Sequence, residues 1–185
     1  MAEGRYFFAL WPAVEVRDQI VAMAEKAVVR GRMHRADDLH MTLVFLGQVA
    51  ESQRRCIEEI AAGISGSPFR LTIDHTGYWP RPKVLWAGTP DTPEPLSQLV
   101  FDLKNGLKNC GFEPEGRPYQ PHVTLYRKAH EVETGSIAPV IEWPVSDFVL
   151  AVSSSAPAGA ARYRIVHRWP LRPAVSAGSS SLSSV

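Results

Sequence analysis

The chain is poor in features that mark several whole classes of protein. Its 185 residues include only two cysteines, Cys56 and Cys110, and they form no C-x-x-C pair. That excludes a disulfide-dense scaffold and the usual zinc ribbons. Both lie in or beside helical patterns and are expected to be small buried hydrophobes, free thiols in a reducing compartment. A charge surplus is also missing, since 20 Lys and Arg against 19 Asp and Glu leave a formal net charge of +1. No global basic field is available for long duplex nucleic acid, so any such contact must be local. The opening MAEGRYFFALWPAVEV breaks at Trp11-Pro12 and places Glu3 where a secretory signal carries basic residues. A cytoplasmic protein without membrane contact is expected.

Motifs for several chemistries are absent as well. There is no H-E-x-x-H, no G-x-x-x-x-G-K-[ST] and no G-x-S-x-G, which removes the sequence basis for a zincin, a P-loop enzyme or a serine hydrolase. Asp37 and Asp38 precede His40 but read as loop acids. No metal and no cofactor is expected.

What is present is an ordinary globular composition, 45% hydrophobic and 21% charged. RYFFALW at 5–11 reads as a buried strand, and Pro12 opens a helix over 13–29 with Val16, Ile20, Met23, Ala24 and Ala27 on one face. A loop, RGRMHRADD, leads to a strand over 39–46 that Gly47 closes. Helices follow at 51–64 and 94–109, the second ended by Gly111. Strands are expected at 69–79, 84–87, 121–127, 145–153 and 161–169. The order predicts an α+β fold with antiparallel or mixed sheets, residues 1–172 forming a single domain of two lobes. The Ser- and Gly-rich end, 173–185, is expected to be a disordered tail.

One motif occurs twice. Leu39-His40-Met41-Thr42-Leu43 and Pro121-His122-Val123-Thr124-Leu125 both contain H-x-T-L, 82 residues apart. Six His and seven Thr predict about 0.2 H-x-T triplets by chance in a chain of this length. In a strand, residues i and i+2 share a face, so each unit sends a His and a Thr one way and two apolar residues into the core. Two such units facing one cleft would supply two imidazoles and two hydroxyls. That set suits a phosphodiester: one neutral imidazole accepts a proton from the nucleophile, and the other, protonated, gives one to the leaving oxygen. The Thr hydroxyls can donate to the non-bridging oxygens. No metal is required.

With these residues in view, the chain resembles the 2H phosphoesterase superfamily, and within it the bacterial RNA 2′,3′-cyclic phosphodiesterases, also called 2′–5′ RNA ligases. RYFFALWP, DDLHMTLVFLGQV, VLWAG, RPYQPHVTLYR and the closing WPL carry the likeness over about residues 4–172. The resemblance implies a bilobal α+β fold with a pseudo-twofold axis and an active-site cleft between the lobes. It implies metal-independent hydrolysis of RNA 2′,3′-cyclic phosphate ends to the 2′-phosphate, with 2′–5′ ligation as the reverse direction. By position, His40 and His122 are the acid–base pair, and Thr42 and Thr124 the phosphate donors. Arg127 matches a basic position of the second block, although regular strand parity turns it away from the cleft. His122 is expected to activate water and His40 to protonate the leaving 3′ oxygen.

The partners implied are RNA 3′ ends or nucleoside 2′,3′-cyclic phosphates, with no obligate protein partner. Phe8 and Tyr119 are candidate base-stacking residues. His34 reads as a surface-loop histidine. Two alternatives use the same residues: a non-catalytic binder of RNA ends, or a relative acting on another cyclic phosphate or a 2′–5′ oligonucleotide.

Overall fold

The computed structural model describes residues 4–27, 29–130, 132–153 and 161–173. The chain runs β1 (Arg5–Leu10), α1 (Val14–Glu25), β2 (Arg30–Met33), β3 (Met41–Gln48), α2 (Glu51–Ala62), β4 (Phe69–Trp79), β5 (Val84–Gly88), α3 (Glu94–Lys108), β6 (His122–His130), β7 (Gly135–Val145), β8 (Asp147–Ser153) and β9 (Tyr163–Pro170). The strands form a nine-stranded sheet ordered β7-β4-β5-β6-β3-β1-β8-β9, with β2 on β6. Every pairing is antiparallel.

This order is two halves meeting at the motif strands. β5, α3 and β6 repeat the strand–helix–strand path of β1, α1 and β3, and outside them β4-β7 mirrors β8-β9. The expected pair of lobes is present, but the motif strands are sheet neighbours rather than walls facing across a gap. β3 and β6 pair only at Met41 and Val123. Beyond that point β2 takes over as β6's partner, with Met33 opposite Tyr126 and Arg32 opposite Arg127.

Period-two alternation gives the sheet two different faces. Phe8, Leu10, Met41, Leu43, Val123 and Leu125 join the inward residues of the helices in the main core. In α3 these are Leu96, Leu99, Val100, Leu103 and Leu107, spaced as an amphipathic helix requires. The other face carries a smaller cluster of Phe7, Ala9, Val149 and Ala151, packed against Trp11, Tyr163 and Ile165. The site develops on this second face.

Four expectations need correction. Cys56 and Cys110 are not free thiols: they are disulfide-bonded, with Cα atoms 5.7 Å apart. The pairing follows from α2 lying against α3, where a Cβ on Gly106 would sit 2.4 Å from Ile60 Cγ2; the missing side chain permits the close approach. The segment read as a loop before the first motif contains β2, whose exposed, charged residues give no hydrophobic period. β7 was also missed, because Pro139 and Pro144 interrupt it. The helices end earlier than predicted, α1 at Glu25 and α2 at Ala62. Except for Pro173, the tail lies outside the described residues.

Candidate active site

Each motif histidine is fixed by its own chain. Nδ1–H of His40 donates to the Asp38 carbonyl at 2.7 Å, and Nδ1–H of His122 donates to the Gln120 carbonyl at 2.8 Å. Both acceptors lie two residues upstream, so the two sites are local copies. The bond selects the tautomer in which Nε2 carries the lone pair and is the nitrogen available to the cleft.

Aromatic rings hold each imidazole in place. His40 stacks on Trp11 with centroids 5.4 Å apart and planes at 11°, while Phe7 and Tyr163 pack against it at 4.9 and 4.8 Å. His122 meets the Trp79 ring edge-on at 4.5 Å, and Trp86 lies behind at 6.4 Å. Burial lowers both proton affinities. For His40 desolvation dominates, opposed by the Asp38 carbonyl, and the pKa falls from 6.5 to about 4. His122 is also lowered, chiefly by desolvation and again opposed by its carbonyl partner.

The fourth residue of each motif has a role that its apolar type conceals. In the pairing of β1 with β3, Phe8 lies opposite Val44 and Ala9 opposite Thr42, leaving Leu43 as an extra residue. In that of β5 with β6, Leu85 lies opposite Tyr126 and Trp86 opposite Thr124, leaving Leu125 extra. These are β-bulges at equivalent places, and a bulge reverses the parity of everything after it. Val44 and Tyr126 therefore turn inward beside the leucines, while Phe45 and Arg127 return to the face of Thr42 and Thr124. This is why Arg127 lines the cleft despite its odd number. Its counterpart Phe45 presents an apolar ring, 71% exposed. The sequence signal was there: Leu43-Val44 and Leu125-Tyr126 are adjacent bulky residues that break the alternation.

His40, Thr42, His122, Thr124 and Arg127 line one cleft of about 690 Å³. Phe8 does not belong to it. It is fully buried on the helix face against Phe148 and Trp169, and Phe7 takes the cleft side. Tyr119 is not part of that lining either; it lines an adjoining groove, its hydroxyl donating to the Thr42 carbonyl at 3.0 Å. Burial raises the phenol's pKa, so it stays neutral.

His34 is a residue that sequence reasoning misplaced. It is 9% exposed, and its Nε2 accepts a hydrogen bond from Arg127 Nε at 3.1 Å. Its backbone N–H donates to the carbonyl of the bulged Leu125 at 2.7 Å. Desolvation first, then the Arg127 charge, lowers its pKa to about 3, which keeps it a neutral acceptor. Among the described residues, no three His, Cys, Asp or Glu side chains converge to hold a metal ion.

Two pinned imidazoles and two hydroxyls thus share one cleft of a pseudo-twofold α+β fold, the arrangement expected from the paired H-x-T-L motifs. Residues 11–156 match the family model described as the 2′-5′ RNA ligase superfamily, and the chain belongs to that family. It is 36% identical to a protein of Escherichia coli (strain K12) named RNA 2′,3′-cyclic phosphodiesterase, over 90% of this chain and 96% of the relative. A protein of Thermotoga maritima with the same name is 31% identical over 84% of this chain and 89% of its own. The crystal structure of E. coli LigT complexed with 3′-AMP superposes with a TM-score of 0.83 at 35% identity, covering 91% of this chain and 98% of that one.

Proposed function

We propose that this protein hydrolyses RNA 2′,3′-cyclic phosphate ends to the 2′-phosphate with its two motif histidines as acid and base. The observation that carries the reading is the duplicated pinning of His40 and His122 by the carbonyls of Asp38 and Gln120. A binder of RNA ends needs donors to phosphate; it has no use for two tautomer-fixed imidazoles.

In the reaction, His122 Nε2 takes a proton from water as the water oxygen bonds to phosphorus. The P–O3′ bond breaks, and the leaving 3′ oxygen receives a proton from the His40 imidazolium. The 2′ ester is retained, and both imidazoles regain their starting protonation by exchange with solvent. Burial makes the His40 imidazolium a strong acid, formed when the phosphate's negative charge draws a proton onto it. Thr42 and Thr124 donate to the non-bridging oxygens, and Arg127 opposes their charge. The terminal base lies against Phe45. Attack by an RNA 5′-hydroxyl on a 2′,3′-cyclic end, with the 3′ oxygen leaving, is the 2′–5′ ligation direction of the same chemistry. Residues 1–172 act as one unit in this reading, because the cleft draws on both halves of the sheet. Among the described residues no helix is long and apolar enough to cross a membrane, and action on RNA ends supports a cytoplasmic location in this reading.

The test is hydrolysis of the four nucleoside 2′,3′-cyclic monophosphates in EDTA, resolving 2′- from 3′-phosphate products. EDTA-resistant turnover to the 2′-phosphate is expected, falling about 10²–10⁴-fold in His122→Ala. No turnover on these or on a cyclic-ended oligonucleotide would sink the proposal. On a substrate with an activated leaving group, His40→Ala should recover more activity than His122→Ala; the opposite result reverses the two roles.

A further inference from the structure

Beside the catalytic cleft lies a second groove of about 590 Å³. Thr42, Phe45, Trp79, Pro82 and His122 wall both spaces, so the two adjoin. Besides His122, its lining includes Tyr119, Pro118 and Pro80, and a rim of the cations Arg81, Lys104 and Arg117. Its volume is within the range of small-molecule sites. The proposed reaction takes place between His40 and His122 and assigns the cations of this groove no role.

We infer that this groove is the subsite for the second nucleotide of an RNA chain, the one attached to the 5′ oxygen of the cyclic-phosphate nucleotide. The inference rests on the proposed reaction, which fixes the terminal phosphate between His40 and His122. From there a single-stranded substrate has one direction in which to continue, through the next phosphodiester.

The groove has what holding a single strand requires, aromatic faces for bases and cations for the backbone. Tyr119 is a rigid platform because its hydroxyl is committed to the Thr42 carbonyl. Trp79 borders both spaces and packs edge-on against His122. The rim brings three cations against one carboxylate, that of Glu115. Arg117 pairs with that carboxylate, and the Lys104 ammonium donates to the Glu115 backbone carbonyl at 2.9 Å. Arg117 is largely exposed and can exchange this partner for a phosphate, since exposed ion pairs bind weakly. The chain as a whole has a net charge of only +1, so this local excess of positive charge marks where a polyanion runs.

The experiment compares kcat/KM for a nucleoside 2′,3′-cyclic monophosphate and a dinucleotide ending in the same cyclic nucleotide, in wild type and the Arg81→Ala/Arg117→Ala variant. Wild type should favour the dinucleotide by about tenfold or more, the scale of one stacked base with its phosphate. In the variant this preference should fall severalfold, with mononucleotide turnover showing that the cleft is intact. Equal wild-type rates on both substrates would overturn the subsite and leave the proposed reaction standing. So would a variant that loses rate equally on both. If wild type hydrolyses neither substrate, the proposed reaction fails and the subsite with it.

Discussion

His34 and Arg127 show how one side chain is aimed by another. A guanidinium on a strand has several rotamers, and the Nε–H to His34 Nε2 bond selects the one that reaches the cleft. The histidine can accept because burial and the neighbouring cation hold its pKa near 3. Replacing His34 by Leu removes the acceptor and should raise KM about three- to tenfold with a smaller change in kcat, given the usual net worth of a hydrogen bond. Gln, which offers an amide oxygen, should restore much of the loss. A variant series in which Leu and Gln behave alike would remove the positioning role. The two motif imidazoles give a second expectation. Both free-protein pKa values lie below the ordinary 6.5. The base must be unprotonated and the acid protonated, so kcat/KM should follow a bell centred between two lowered values. Its maximum should therefore fall below pH 6.5; an optimum above pH 7 would mean that burial does not control these rings in solution.

At the scale of elements, the helices and the motif strands were legible from spacing, because apolar periodicity is written directly into them. α3 shows this, with Gly111 ending it at a positive φ of 77° as expected of a left-handed cap. What spacing did not contain was pairing. Strand β2 offers only Arg30, Gly31, Arg32 and Met33, and it becomes a strand because β6 needs a partner where β3 departs. The bulges at Leu43 and Leu125 are likewise properties of two strands together. The disulfide was invisible for the same reason, since its cysteines are 54 residues apart and only the packing of α2 on α3 unites them. Closing a loop of that length should stabilise the fold by ~4 kcal/mol through the unfolded chain. Reduction, or Cys56→Ala with Cys110→Ala, should lower the melting temperature by about 10 °C. Activity below the transition should survive, because both helices lie on the face away from the cleft. An unchanged melting curve would show that the bond adds nothing to the packing around it.

At the scale of the molecule, the halves are unequal in sequence although alike in form. Residues 69–145 contain β4, β5, α3, β6 and β7 without interruption, whereas the other half joins β1 and β3 to β8 and β9 from the far end of the chain. Closing that half brings Tyr6 opposite Val152, a contact of long sequence separation and therefore slow to form. Pulsed hydrogen exchange during refolding should find the amides of β4 and β5 protected before those of β1 and β8; simultaneous protection would refute the order. On the ribosome this order has a further consequence. A chain that has emerged only through Ser146 already carries both histidines, both threonines and Arg127, yet β1 lacks β8 and the ring of Tyr163 is missing beside His40. Such a chain would be complete in its chemistry and inert, and the newborn protein should begin to act on RNA ends only when its last two strands arrive.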